Sequence, residues 1–175
     1  MNNILKNIFV YALVIGIALL IKFFVFSPIK VNGSSMEPNL KDGDIMILNE
    51  IGYRLGGVER FDIVVINTDG EKIIKRIIGL PGEQIEYHDN KLYVNGEEVV
   101  ENFNHGETKD FSLSDINLET IPSDHYFVVG DNRGNSKDSR IIGAIHKSKI
   151  VGKANLIILL PYPFPLSEGR TEYPQ

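Results

Sequence analysis

Three groups of residues in this 175-residue chain have types and spacings that could do chemistry. The first is Gly33-Ser34-Ser35-Met36-Glu37-Pro38-Asn39-Leu40, two adjacent hydroxyls in a loop bounded by glycine and proline. Glycine permits a turn with positive φ, and Pro38 fixes its own φ while pushing Glu37 out of the helical region. Such a loop can present a serine Oγ with backbone N–H groups beside it, although most Gly-Ser loops are only turns. The second group is Lys75, inside Lys72-Ile73-Ile74-Lys75-Arg76-Ile77-Ile78-Gly79-Leu80-Pro81-Gly82. In a strand Lys75 shares a face with Ile73 and Ile77, while Arg76 points the other way. Two readings stand at this point: a solvated edge-strand lysine, which the pattern favours, or a lysine whose pKa burial lowers until it can act as a base. The third group runs from Gly130 to Arg140, Gly-Asp-Asn-Arg-Gly-Asn-Ser-Lys-Asp-Ser-Arg. It is dense in hydrogen-bonding side chains and reads either as a solvated turn with weak surface ion pairs or as a loop that orients other groups.

Composition narrows the chemistry. The chain has no cysteine, which excludes disulfides, thiolate metal sites and a cysteine nucleophile. Glycine spacing fits neither a P-loop nor a dinucleotide fingerprint. His88, His105, His125 and His146 are scattered without metal-ligand spacing, and a Ser–His–Asp triad has no preferred histidine. The net charge is −5, yet residues 1–30 hold Lys6, Lys22 and Lys30 and no acid. Removing that +3 leaves −8 for the remainder, which argues against a nucleic-acid partner.

The elements that must position these groups follow from the apolar pattern. From Ile8 to Phe26 the only charge is Lys22. At 1.5 Å per residue a helix of that length is about 28 Å long, close to one bilayer core. Lys22 can snorkel toward the headgroups, with Phe23, Phe24 and Phe26 beside the interface. No small-x-small cleavage site follows before Pro28, so an uncleaved anchor is expected, with a short cytoplasmic leader. Beyond it, short β-like runs alternate with turns. Strands are expected over Asp44–Leu48, Phe61–Ile66, Lys72–Leu80, Gln84–His88, Lys91–Val94, Tyr126–Val129 and Ile150–Leu160. A loop is expected from Gly52 to Gly57, tight turns at Asp89-Asn90 and Asn95-Gly96, a polar surface excursion over 101–124, and a Pro-rich tail.

Taken in order, Ser-Met-x-Pro after one N-terminal span, Lys-Arg-x-Ile-Gly-x-Pro-Gly, and Gly-Asp-Asn-Arg-x-x-Ser-x-Asp-Ser-Arg resemble type I signal peptidase. The similarity is to the short bacterial form with a single anchor, and it extends to Asp62-Ile63-Val64-Val65 between the first two motifs. The resemblance implies a mainly β fold: an N-terminal transmembrane helix, then a signal-peptidase-like β domain with a small inserted cap. The corresponding boundaries are 1–7 for a cytoplasmic N-terminus, 8–26 for the anchor and 27–175 for an extracytoplasmic catalytic domain, with about 83–124 as the cap. The implied location is the cell membrane, single-pass.

The same resemblance implies site residues. Ser35 matches the nucleophile, Lys75 the general base, and Ser136 the serine that orients the lysine. Asp138 and Arg140 match ion-pair positions near the site. The Ser35 N–H matches an oxyanion donor; where some relatives have a serine two residues earlier this chain has Gly33, whose N–H is the expected second donor. Met36, Leu40 and Ile74 match positions lining the small pocket for the residue before the cut. Asn39 stands where threonine is usual. The implied activity is removal of signal peptides from exported preproteins after small residues, without metal or cofactor. The implied partners are those signal peptides, the lipid bilayer and the protein-export machinery, and no nucleic acid. A self-cleaving Ser–Lys repressor shares the dyad, but the expected span and the lack of a DNA-binding helical domain argue against it. The alternative from another class is a catalytically silent, membrane-anchored relative that binds preproteins or secretion components.

Overall fold

Apolar residues here recur in short runs cut by Gly, Pro, Asn and Asp, and the computed structural model folds most of those runs into antiparallel strands. It describes residues 3–68 and 70–158, with side chains described for 6–17, 27–68 and 70–154. In chain order the elements are α1 (Asn3–Val25), β1 (Phe26–Lys30), β2 (Ile45–Asn49), α2 (Glu50–Gly56), β3 (Ile63–Thr68) and β4 (Glu71–Gly79). Then come β5 (Ile85–His88), β6 (Lys91–Val94), β7 (Glu97–Val99), β8 (Phe111–Ser112), β9 (His125–Val129), α3 (Ser139–Ile142), β10 (Ile145–His146) and β11 (Ile150–Ile158). Seven strands form one sheet in the order β1-β2-β11-β3-β4-β9-β10, and β7-β6-β5-β8 form a second.

The β3–β4 hairpin lies at the centre of the larger sheet and is covered on both faces, which is why its sequence is almost continuously apolar. Val65 and Ile74 pack on one side with Val31, Met36, Leu40, Met46 and Leu48. Val64, Ile66 and Ile77 pack on the other with Val128, Ile145 and Ile150. A third cluster, including Ile78, Ile85, Tyr87, Leu92 and Phe127, joins the small sheet to the large one. The hairpin turns are those that the dipeptides dictate. Asp89 and Asn90 have φ of 48° and 62°, and Asn95 and Gly96 have 53° and 83°. Positive φ at both central residues matches the right-handed strand twist.

Two expectations are corrected. Residues 50–56 are helical rather than a loop, because the Asn49 side chain accepts the Gly52 N–H at 2.6 Å and caps a segment too short to show a helical period. The 101–124 segment is not simply a surface excursion. Thr108, Leu113 and Ile121 are buried, the last two in the cluster beneath the small sheet. Their wide spacing gives no period for a sequence reading to detect.

α1 spans 23 residues and covers the expected anchor except Phe26, which opens β1. Among the described residues no helix is long and apolar enough to cross a membrane. The side chains of 18–26, including Lys22, Phe23, Phe24 and Phe26, lie outside the described residues, as do residues 159–175 with the Pro-rich tail.

Candidate active site

The Ser35 loop is closed at its base by Val31 and Asp44. Val31 N–H donates to Asp44 O at 2.8 Å and Gly43 N–H returns to Val31 O at 2.9 Å. Within it, Glu37 N–H donates to Ser34 O at 3.1 Å and Leu40 N–H to Met36 O at 2.9 Å. Met36 and Leu40, 1% and 0% exposed, nail this turn into the apolar cluster beneath it. Lys75 arrives from β4, forty residues on, and its Nζ lies 2.7 Å from Ser35 Oγ and 2.9 Å from the Ile74 carbonyl. Lys75 is 3% exposed.

The segment after β9 buckles the two together. Asn132 donates its backbone N–H to Ser35 O and its side-chain amide to Ser34 O, both at 3.0 Å, and Asn135 Nδ2 donates to Ser34 Oγ at 3.0 Å. Gly130 faces this junction with no room for a side chain: a Cβ there would collide with Ser136 Oγ and the Ser35 carbonyl. Asp131 takes a bidentate pair from Arg76, Nε at 2.8 Å and Nη2 at 2.6 Å. Asn39 Nδ2 also donates to Asp131 Oδ2 at 2.7 Å and to Asn104 O at 2.6 Å, tying the serine loop to the segment after β9 and to the stretch around residue 104. Asp138 receives Arg140 Nε at 2.9 Å, Arg140 Nη2 at 2.8 Å and the Gly130 N–H at 3.0 Å. Arg133 pairs with Glu101 at 2.5 Å.

These are not weak surface pairs. Asp131 and Asp138 are fully buried and Arg133 is nearly so. Removing one partner from such a pair costs about 3–5 kcal/mol. Burial pushes the Asp138 carboxyl up, but the Arg140 guanidinium and the Gly130 N–H outweigh it and hold it below the usual carboxylate range. Burial is also the dominant influence on Lys75 and lowers its pKa; Asp138 and then Asp131 pull it back up without restoring it. Because Arg140 and Arg76 neutralise those two carboxylates, neither can fully stabilise an ammonium at Lys75.

The fold thus brings Ser35, Lys75, Asp138 and Arg140 into one centre, with Met36, Leu40 and Ile74 packed together beside it. Two placements differ from expectation. The Gly33 N–H (φ 86°) points back into its own turn and donates to Asp42 Oδ1 at 2.7 Å, so it does not supply the second oxyanion donor. Lys75 makes no hydrogen bond to Ser136. Ser136 Oγ is buried without a partner among the described residues. Sequence reasoning missed Asn39 as a tether, and missed Arg76, Asn132 and Glu101 altogether. Arg76 had one available signal: an arginine inside an apolar strand demands a buried acid. On the small sheet His88 sits between exposed Asp89 and Asp110, an arrangement that the residue spacing did not suggest.

A serine hydroxyl and a buried lysine amine thus lie in hydrogen-bond contact, beside two buried carboxylate–arginine pairs, on an antiparallel β frame. The chain belongs to the signal peptidase family, peptidase S26, whose model matches residues 3–159. It is 40% identical over 159 residues to signal peptidase I of Bacillus amyloliquefaciens, covering 86% of this chain and 81% of that protein. It is 41% identical over 170 residues to signal peptidase I T of Bacillus subtilis strain 168, covering 91% and 86%. Signal peptidase IB of Staphylococcus aureus strain COL is 37% identical over 169 residues, covering 86% and 88%. Among solved structures, a signal peptidase I from Enterococcus faecalis V583 superimposes with a TM-score of 0.51 at 36% identity, covering 55% of this chain and 95% of that one.

Proposed function

We propose that this chain is a membrane-anchored serine endopeptidase that removes signal peptides from exported preproteins, with Ser35 as nucleophile and Lys75 as general base. The observation that carries the assignment is the 2.7 Å approach of a buried Lys75 Nζ to Ser35 Oγ. A serine hydroxyl is a poor nucleophile until a base takes its proton, and a lysine can do so only when neutral. The neutral amine directs one N–H to the Ile74 carbonyl and its lone pair to the Ser35 hydroxyl. Ser35 Oγ attacks the scissile carbonyl as its proton passes to Nζ. The developing oxyanion is met by the Ser35 N–H, which has no acceptor among the described residues. The C–N bond then breaks as Lys75 hands its proton to the leaving amine, and water, deprotonated by the now neutral Lys75 Nζ, resolves the acyl-enzyme.

Ser136 is the orienting serine in this reading. Its hydroxyl is buried beside Gly130, the Ser35 carbonyl and the Asp138 carboxylate, and would turn to Lys75 once Ser35 Oγ is acylated. β9 pairs with β4 only from Arg76 onward, leaving the edge over 71–75 for an extended substrate. Met36, Leu40 and Ile74 leave little open space, which suits alanine before the cut. None of these steps calls for a metal or cofactor.

The membrane assignment rests on α1, which presents Ile8, Phe9, Val10, Tyr11, Leu13 and Val14 to its surroundings at 49–69% exposure. A single helix apolar on all sides needs an apolar medium. Residues 8–26 are the anchor, 1–7 are cytoplasmic, 27–175 are extracytoplasmic, and about 83–124 form the cap. The export machinery is the natural neighbour there.

The test compares wild type, Ser35→Ala and Lys75→Arg in preprotein cleavage and in labelling by a serine-reactive probe. Both variants should be inactive, because a guanidinium cannot surrender its proton. Near wild-type processing by Lys75→Arg would sink the dyad. Release of the full chain from membranes by alkaline carbonate would sink the anchor.

A further inference from the structure

The groove that opens on the serine–lysine pair is larger than that pair needs, about 870 Å³. It runs along the face of β4 that carries Glu71, Ile73 and Lys75, which alternate on one side of the strand. Ile74, on the opposite face, packs with Met36 and Leu40. The groove and the candidate pocket for the residue before the cut therefore lie on opposite faces of the same strand. The chemistry orients the substrate between them. Lys75 must return its proton to the departing amine, so the chain beyond the cut leaves along the face that Lys75 occupies.

Apart from Lys75, the ionic side chains lining the groove among the described residues are Lys137, Lys149 and Glu71, all exposed. Among these described residues two cations face one anion. The far wall adds the rings of His125 and His146, edge to face with centroids 5.0 Å apart. Neither Lys137 nor Lys149 has an acid partner among the described ion pairs, in contrast to Lys147, which is held by Asp124 at 2.8 Å.

We propose that this groove receives the first residues of the released chain, and that Lys149 and Lys137 make it prefer Asp or Glu there. The inference rests on the endopeptidase reading above and adds a substrate preference to it. Exposed charge pairs are worth little individually, so the preference is a tuning of rate by about two- to fivefold, and it weakens with salt.

The test uses full-length enzyme in detergent and three peptides that share an alanine before the cut and differ at the second and third residues after it: Asp-Glu, Gln-Gln or Lys-Lys. Wild type should show the highest kcat/KM on the acidic peptide at low ionic strength. Lys149→Glu should reverse that order. Lys109→Glu, which changes net charge equally but lies outside the groove, should keep the wild-type order. An unchanged acidic-to-basic ratio in Lys149→Glu overturns the subsite, and so does an equal shift in Lys109→Glu. If the neutral peptide is cut and no ratio moves, the subsite alone falls. If wild type cuts none of the three, the endopeptidase reading falls and takes the subsite with it.

Discussion

Replacing Asp138 by Asn should move the acid limb of the pH–rate profile to lower pH. In the proposed dyad Lys75 must be neutral to take the Ser35 proton, so kcat/KM should rise as pH climbs through its folded-state pKa. That pKa is lowered chiefly by burial, and Asp138 is the larger of the two carboxylates that oppose the effect. Asp138 and Arg140 together present Lys75 with a nearly neutral pair. The amide removes the anion and leaves the guanidinium, and both changes disfavour an ammonium. A close carboxylate moves a neighbouring base by about 1–3 pH units, so a downward shift of about one unit or more is expected. Folding suffers as well. Losing one member of a buried pair costs about 3–5 kcal/mol, a large share of a typical domain's 5–15 kcal/mol. The assay is therefore kcat/KM against pH on a short peptide at a temperature where circular dichroism shows the variant folded. The position of the limb is independent of how much enzyme is active, so a lower plateau does not obscure it. A limb that stays in place, or moves up, would refute the claim that Asp138 tunes Lys75 through charge.

Two further outcomes follow from the same geometry. Gly130→Ala puts a methyl group against the Ser35 carbonyl and Ser136. Overpacking of about 1–3 kcal/mol should lower kcat/KM about 5- to 150-fold, and near wild-type turnover would show the junction to be soft. Lys75→Met should abolish turnover yet raise the melting temperature by a few degrees, since a nearly buried amine becomes an apolar chain of similar volume. Its pH signature has a fixed sign. The folded pKa lies below 10.5, so between that value and 10.5 the unfolded chain binds more protons and wild-type stability rises with pH. The gap between mutant and wild type should narrow across that window, and a mutant melting below wild type at neutral pH would contradict the cost assigned to Lys75.

The local parts of this molecule were legible because their causes are local. Asp89-Asn90 and Asn95-Gly96 form the turns they encode, since only residues tolerant of positive φ fit there. The β3 and β4 runs form strands at nearly the expected limits, being short, branched and bounded by breakers. By contrast, α2 depends on a single capping amide, and the burial of Leu113 and Ile121 depends on a second sheet folding over them. Neither leaves a period in the sequence.

At the site the same division holds. Motif order, through the resemblance it carries, was enough to nominate Ser35, Lys75, Asp138 and Arg140, whereas residue type and spacing alone favoured a plain turn and a solvated lysine. Distance in the chain hid the rest. That Lys75 reaches Ser35 across forty residues, that Arg76 finds Asp131 and that Asn39 bridges two segments are consequences of β3, β4 and β9 pairing in one sheet. The direction of the Gly33 N–H is equally non-local in cause, set by Asp42 closing the turn from its far side. Sequence determines which groups are present and what the backbone can do near each. Only tertiary packing decides which are desolvated and which charges face one another, and the lowered pKa of Lys75 depends on both.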